Sequence, residues 1–311
     1  MSWFTKHIDT FWFTKAPASR LALLRIILGL YTLYYVGKRF SMFMRVAKND
    51  PVLFKPVGVA SHLQEPIAPS VFRKLLVTLL IANVAFIFGW RHRYTGPLFA
   101  TLLLWILCYR NSWSMIYHSD NTIVLHAIIL GLAPAADALS LDSCKQILTS
   151  SSENGDTASK SGTQYGWPIQ LINTVTVVTY FLSGVAKVKG PLGWKWGSGE
   201  SLRSQIAVDG LRKDVLGEGA SKLAFTLYNQ TALFKILAIG SLIMELLAPV
   251  VLLDKRVSRL WAAGAFLLHW GIYFVMKITF RYQLTGLLYT SFFDIERVAA
   301  LFGNKDGIKI A

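Results

Sequence analysis

Long apolar blocks constrain this 311-residue chain more than any other feature: LALLRIILGLYTLYYVG, KLLVTLLIANVAFIFGW and KILAIGSLIMELLAPVVLL. Their apolar residues cover every helical face instead of forming one stripe. A helix of that kind needs greasy surroundings on all sides. Only 16% of the residues are charged, against about 25% in soluble domains. The reading is an all-α integral membrane protein: a polytopic bundle of about eight transmembrane helices with an N-terminal interfacial helix.

The expected spans lie near 20–36, 73–90, 95–109, 121–138, 167–187, 230–253, 257–276 and 281–293. Residues 1–19 form the interfacial segment, with Trp3, Phe4, Phe11 and Trp12 as anchors. Residues 20–293 form the membrane domain, with a polar loop at about 143–166, and residues 294–311 form a tail. The segment 37–72 contains Pro51, Pro56, Pro66 and Pro69 and is too broken to cross. GESLRSQIAVDGLRKDVLG is polar enough for an interfacial helix or a loop.

The formal charge is +15. The basic residues sit mainly between the apolar blocks, where they orient helices and meet anionic headgroups. The expected partners are therefore membrane lipids and a hydrophobic small molecule, not nucleic acid. Cys108 and Cys144 make no disulfide framework and no metal-ligand spacing, so no metal is expected. The basic turns at Arg91/Arg93 and Lys255/Arg256/Arg259 put the N-terminus on the cytoplasmic side, whereas the basic segment 37–72 argues the reverse.

Ionisable residues inside apolar blocks carry the functional information. Arg25, His126, Asp137, Lys187, Glu245, His269 and Lys277 lie within or at the ends of such blocks. A charge at a helix centre costs about 2.5–3.5 kcal/mol on insertion scales. Asp137 and Lys277 are close enough to span ends to snorkel. Arg25 reads as a tie to another helix or to a lipid phosphate, and His126 as a hydrogen-bonded core residue. Lys187 ends TVVTYFLSGVAKVKG, where Ser183 and Gly184 open space one turn earlier and Trp194 and Trp196 follow. It is either a snorkelling lysine or an amine held out of water, able to act as a base. Glu245 is its natural companion, as a structural tie or as a proton holder.

Tyr180-Phe181-Leu182-Ser183-Gly184-Val185-Ala186-Lys187, followed by Trp194/Trp196 and Gly197/Gly199, resembles the signature of the HTTM family, the membrane domain shared with vitamin K-dependent γ-glutamyl carboxylase. Arg25 with Gly29 is similar to that family's opening helix. The run from Asn121 to Asp142 is similar to its helix ending in a Ser-hydrophobic-Asp tripeptide, and His269 to its late His-containing helix.

The resemblance implies lyase-class chemistry on a reduced vitamin K or menaquinol-like quinol. Lys187 would be the catalytic base, and Glu245, His269, Trp194, Tyr180, Arg25 and Asn121 would bind substrate, with Trp194 capping the cavity. A peptide substrate is a further possible partner by the same resemblance. The sequence departs from the carboxylase in four places. Ala186 stands where it has a second lysine, its essential His after the third span has no clean counterpart (His118 and Ser119 lie nearest), Phe280-Arg281 replaces a Phe-Pro, and no counterpart of its extra-membrane domain is expected. The implied location is the plasma membrane in a bacterium or the endoplasmic reticulum in a eukaryote. The readings without chemistry are a transporter or lipid-binding protein that reuses the fold, and a structural partner in a membrane complex.

Overall fold

The computed structural model describes residues 9–149 and 160–298. Trp3 and Phe4 of the interfacial segment, the centre of the Ser-rich loop and the end of the tail lie outside those residues. The structure is 77% helical, with almost no strand among the described residues. The chain divides into two compact units: Met1–Ile172 with Asp294–Ala311, and Asn173–Phe293.

In the first unit, β1 (Ala16–Pro17) pairs antiparallel with β2 (Ser161–Gly162). Helix α1 (Ala18–Lys38) follows directly, and the short α2 is Phe40–Val46. Between α2 and the next long helix the chain makes only 3-10 turns, as its prolines require. Helix α3 (Pro69–Phe88) starts on a proline, whose missing N–H would have had no helical partner. It ends at Gly89, which takes the left-handed conformation at φ 59°. Helix α4 (His92–Asn111) receives its N-terminal cap from far along the chain. The Asp142 carboxylate accepts the N–H groups of Arg91 and His92, both at 2.8 Å. Helix α5 (His118–Leu132) packs against α4 with Gly96 facing Gly131; a Cβ on Gly96 would stand 2.4 Å from the Gly131 carbonyl oxygen. Small residues allow this close backbone approach, as in other membrane bundles. Helix α6 is Leu141–Thr149, and α7 (Thr163–Lys189) leads into the second unit.

The second unit holds the rest of α7 and helices α8 (Glu200–Val215), α9 (Lys222–Leu227), α10 (Thr231–Leu246), α11 (Lys255–Met276) and α12 (Arg281–Leu284). Short 3-10 turns at Gly193–Ser198, Ala248–Leu253 and Leu287–Phe292 link or end them. Asp254 caps α11 by accepting the N–H groups of Arg256 and Val257 at 2.8 and 3.0 Å.

Among the described residues three helices are long and apolar enough to cross a membrane: α1, α3 and α7. The expected total of about eight is not reached among the described residues, for reasons that differ by segment. The run 121–138 is cut at Leu132, because Ala133 precedes Pro134 and adopts an extended backbone at ψ 161°. The segment 230–253 is a 16-residue helix followed by a 3-10 turn that opens on Pro249. The segment 281–293 is no continuous helix at all. It is a four-residue turn of α-helix, a left-handed Gly286 at φ 76° and a 3-10 turn. Helices α4 and α11 have 20 and 22 residues but carry His92, Arg93 and Arg110, and Lys255, Arg256 and Arg259. The polar loop is also narrower than 143–166, since α6 runs to Thr149 and α7 begins at Thr163. The polar segment after Gly199 is helical, as α8.

Several helices turn large apolar side chains outward. On α3, Val77, Ile81, Val84 and Phe88 form one exposed row at helical spacing. Ile236, Ile243 and Leu247 at α10, and Leu260 and Leu267 on α11, are exposed in the same way. Apolar rows of this extent suit hydrocarbon, not water.

Arg25 is the largest fully buried side chain of the first unit. Its guanidinium donates to the carbonyl oxygens of Ala135 at 2.7 Å, Leu139 at 2.6 Å and Ile87 at 3.3 Å. It is thus a tie within the protein, holding the chain that follows α5 and the end of α3. His126 is a buried core residue with a hydrogen bond to the Ile172 backbone, as read from the sequence. Asp137 does not snorkel: it accepts a hydrogen bond from the Tyr165 hydroxyl at 2.8 Å. Lys277 ends α11 with φ 51° and donates to the Gly219 carbonyl at 3.1 Å.

Candidate functional site

The second unit gathers four of the sequence-predicted site residues: Lys187, Glu245, Tyr180 and His269. The gathering begins with α7. Tyr180, Ser183/Gly184 and Lys187 recur at intervals of three to four residues and therefore share one helix face. At Gly184 that face meets α10. A Cβ there would lie 2.8 Å from the Glu245 Cβ and 3.1 Å from Leu246 Cδ2. The space that Ser183 and Gly184 open is thus filled by α10, and the contact brings Glu245 to Lys187.

Lys187 Nζ donates to both carboxylate oxygens of Glu245, at 2.5 and 2.6 Å. The carboxylate side chain is 8% exposed and the lysine side chain 25%. Ser183 adds a hydrogen bond to Glu245. On another side of the amine lies the Trp196 ring, with Nζ 4.6 Å from its centroid. Trp196 is in turn packed against Ala238, Leu242 and Val188. The 3-10 turn Gly193–Ser198 sets this orientation and ends on Gly199, at φ 86°, against the backbone of Phe234 and Lys235.

Trp194 does not do what its position in the sequence suggested. It is 72% exposed and caps nothing in this unit, whereas Trp196 is 8% exposed and faces the lysine. A 3-10 turn places residues two apart on different sides, so the Trp-Lys-Trp run offers one ring inward and one outward. Arg25 and Asn121 belong to the first unit, Arg25 with both terminal guanidinium nitrogens on backbone carbonyls and Asn121 exposed.

Beside the ion pair lies a second polar group. The Tyr180 and Tyr289 hydroxyl oxygens are 2.5 Å apart, and each is 3.3 Å from Nδ1 of His269. All three residues are buried. Trp261 stands edge-on to Tyr180 at 4.9 Å and donates its indole N–H to the Met244 carbonyl at 3.0 Å. Tyr180 is also within electrostatic range of Glu245. Sequence reasoning missed Trp196 as the inward ring and missed Tyr289 entirely. Tyr289 lies in a 3-10 turn, where no periodicity marks an inward face.

The first unit holds a further buried ion pair that the sequence reading passed over. Arg110 pairs with Asp120, which also accepts the Tyr35 hydroxyl at 2.9 Å, and the guanidinium lies 3.8 Å from the centre of the Tyr117 ring.

The model of the HTTM domain matches residues 13–282. The chain belongs to the HTTM family. The HTTM domain is found in vitamin K-dependent carboxylase and its relatives, and the match spans both the opening helix and the Lys187 segment. No curated protein and no solved structure matches the chain. With three spanning-length apolar helices among its described residues, this HTTM-family chain is a membrane protein. Among the described residues no group of His, Cys, Asp or Glu is arranged to hold a metal ion.

Proposed function

We propose that this protein is a multi-pass membrane enzyme that removes a proton from a hydrophobic ring acid of the quinol class, using Lys187 and Glu245 as its proton-accepting pair. The observation that carries the reading is the position of Lys187 Nζ between a buried carboxylate and an indole face. The pair holds one shareable proton. It sits as ammonium with carboxylate, or as amine with carboxylic acid, at the same net charge. The second arrangement removes two charges from apolar surroundings, where each ion costs several kcal/mol to desolvate. In that arrangement Lys187 is a base and Glu245 has stored its proton.

A reduced quinone supplies a weakly acidic hydroxyl on a flat apolar ring. The groups that would meet such a hydroxyl are Lys187, whose Nζ lies over the Trp196 ring, and its partner Glu245. Lys187 takes the proton at Nζ, and Glu245 holds or returns its own. Vitamin K or menaquinol is the substrate class that the family suggests. The same chemistry does not require carboxylation of a peptide. The membrane is the plasma membrane in a bacterium or the endoplasmic reticulum in a eukaryote.

The test is turnover by the purified chain in liposomes given reduced vitamin K and oxygen. The proposal expects vitamin K epoxide to accumulate, and expects native-membrane preparations to carry a quinone in their extractable lipid. Solute flux without any quinol consumption would instead make the protein a transporter built on the same fold.

A further inference from the structure

The end of the first unit where α1 stops carries a surface of its own. Helix α1 has 21 residues, a length of about 31 Å, which matches the hydrocarbon core of a bilayer. Leu30 and Tyr34 are exposed along it, and Lys38, one turn further, donates to the Tyr34 hydroxyl at 3.2 Å. An aromatic ring followed by a cation is the order found where a helix leaves the hydrocarbon. Helix α3 runs back from the same level. Arg25 meets Ile87 and Gly29 meets Asn83, so the two helices are antiparallel. Nine residues past Gly29 stands Lys38, and nine before Asn83 stands Lys74. The chain between these helices therefore begins and ends at one membrane surface.

That connection is strongly basic. Residues 38–55 hold five Lys or Arg and one acidic residue, Asp50. The Asp50 carboxylate is committed, since it accepts the Val52 N–H at 3.0 Å and caps the turn Pro51–Leu53. Lys38 and Arg39 lie over the rings of Tyr34 and Tyr35, and Arg45, Lys48 and Lys55 are exposed. Among the described residues none of the five pairs with a carboxylate. Between Lys48 and Lys55 the turn presents Val52 and Leu53, 78% and 56% exposed. The tip is held from behind. The N–H groups of Lys55 and Val57 donate to the carbonyl and hydroxyl of Ser112 at 2.7 and 3.1 Å, and Phe54 is buried beside Tyr109 and Trp113. Two exposed apolar side chains between two free ammonium groups match the layering of a lipid surface, with phosphates outside and acyl chains beneath.

We propose that the Lys48–Lys55 turn docks on anionic phospholipids of the membrane surface at which α1 and α3 end. Lys48 and Lys55 meet the lipid phosphates, and Val52 and Leu53 enter the acyl boundary between them. Charge selects the occupant: a turn whose one carboxylate is spent and whose cations are free fits an anionic lipid better than a zwitterionic one. This docking belongs to the first unit and does not depend on the chemistry assigned to Lys187 and Glu245.

The test reads exposure of the tip on the full chain in nanodiscs, where both membrane faces are open to reagent. A Leu53→Cys chain is treated with a neutral, water-soluble polyethylene-glycol maleimide, and its rate is divided by that of exposed Cys144 in the same molecule. In phosphatidylglycerol discs this ratio falls about fivefold or more below its value in phosphatidylcholine discs, since each cation near an anionic surface contributes on that scale. Adding Lys48→Gln and Lys55→Gln, at two exposed and unpaired positions, restores the phosphatidylcholine value. Salt at about 0.5 M, which screens exposed charges, does the same. Lys222→Gln with Lys235→Gln removes equal charge from the second unit and leaves the protection in place. Equal ratios in the two lipids overturn the proposal, as does protection that survives the loss of Lys48 and Lys55. Equal loss in the control pair overturns it too, by reducing the effect to bulk charge. Protection by soluble poly-glutamate in phosphatidylcholine discs, with none from phosphatidylglycerol, would give the turn to an acidic protein instead.

Discussion

Gly184 and Glu245 bring α7 and α10 into contact in the second unit: a methyl on the glycine would stand 2.8 Å from the glutamate Cβ. Leu246 closes the same space at 3.1 Å. Gly184→Ala gains up to about 1 kcal/mol of helix propensity and loses about 1–3 kcal/mol to overpacking. The expected outcome is a lower unfolding temperature in detergent and a weakened Lys187–Glu245 pair. An unchanged or raised unfolding temperature would show that the helices are not in contact there.

The ion pair predicts a thermodynamic cycle. Breaking a buried pair by removing one partner costs about 3–5 kcal/mol. Lys187 is a quarter exposed, which brings the expected cost of Lys187→Met to about 2–3 kcal/mol on the same scale. Glu245→Gln alone leaves the ammonium beside a neutral amide and is also destabilising. The double variant recovers much of the stability, because no unpaired charge remains. Additive losses in chemical or thermal unfolding would mean that the two side chains do not interact. Lys187→Ala thus disturbs folding as well as chemistry, a coupling invisible while the lysine has no known partner.

The two tryptophans of Gly193–Ser198 separate cleanly. Trp194→Ala removes an exposed ring and is expected to change stability by no more than about 0.5 kcal/mol, with turnover within twofold. Trp196→Ala empties the packing against Ala238 and Leu242, an effect of about 3–5 kcal/mol for a large aromatic, and removes the face beside the amine. Parallel unfolding and turnover measurements on the two variants check this. Equal effects would contradict the inward and outward assignment.

Arg25 tests the first unit. Its guanidinium serves three carbonyl oxygens from a fully buried position. Arg25→Met leaves those carbonyls without their donor and is expected to cost several kcal/mol, since each unsatisfied buried group costs about 1–3 kcal/mol. Arg25→Lys rescues little, because a single ammonium cannot match the planar fork. Protease sensitivity of the chain after α5, read by limited digestion, checks both. Wild-type resistance in Arg25→Met would remove the tie from the account.

What the sequence made legible was the set of residues that a passive apolar helix would not carry. Arg25, His126, Lys187 and Glu245 stand out because each violates the composition of its own block, and the structure gives each a partner. The partners themselves were not legible. Glu245 follows Lys187 by 58 positions, and nothing local says that Gly184 lets the two helices touch. The helix count was misread where one short signal outweighs a long apolar run. Pro134 ends α5, and Gly286 breaks the stretch after α12, although both lie in segments whose average character is apolar. Which of Trp194 and Trp196 turns inward was not legible, because 3-10 turns have no long periodic face. The family signature covers the lysine segment, but it carries no information on which aromatic ring meets the amine.

Chemical rescue tests the central claim most directly. Lys187→Ala protein, purified in native lipid and given reduced vitamin K and oxygen, is assayed with and without a small primary amine such as ethylamine. Removal of a positioned general base costs about 10²–10⁴-fold in rate. The account predicts a loss of that size and a partial recovery that grows with the concentration of unprotonated amine. Turnover by Lys187→Ala at the wild-type rate, with no response to added amine, would contradict it.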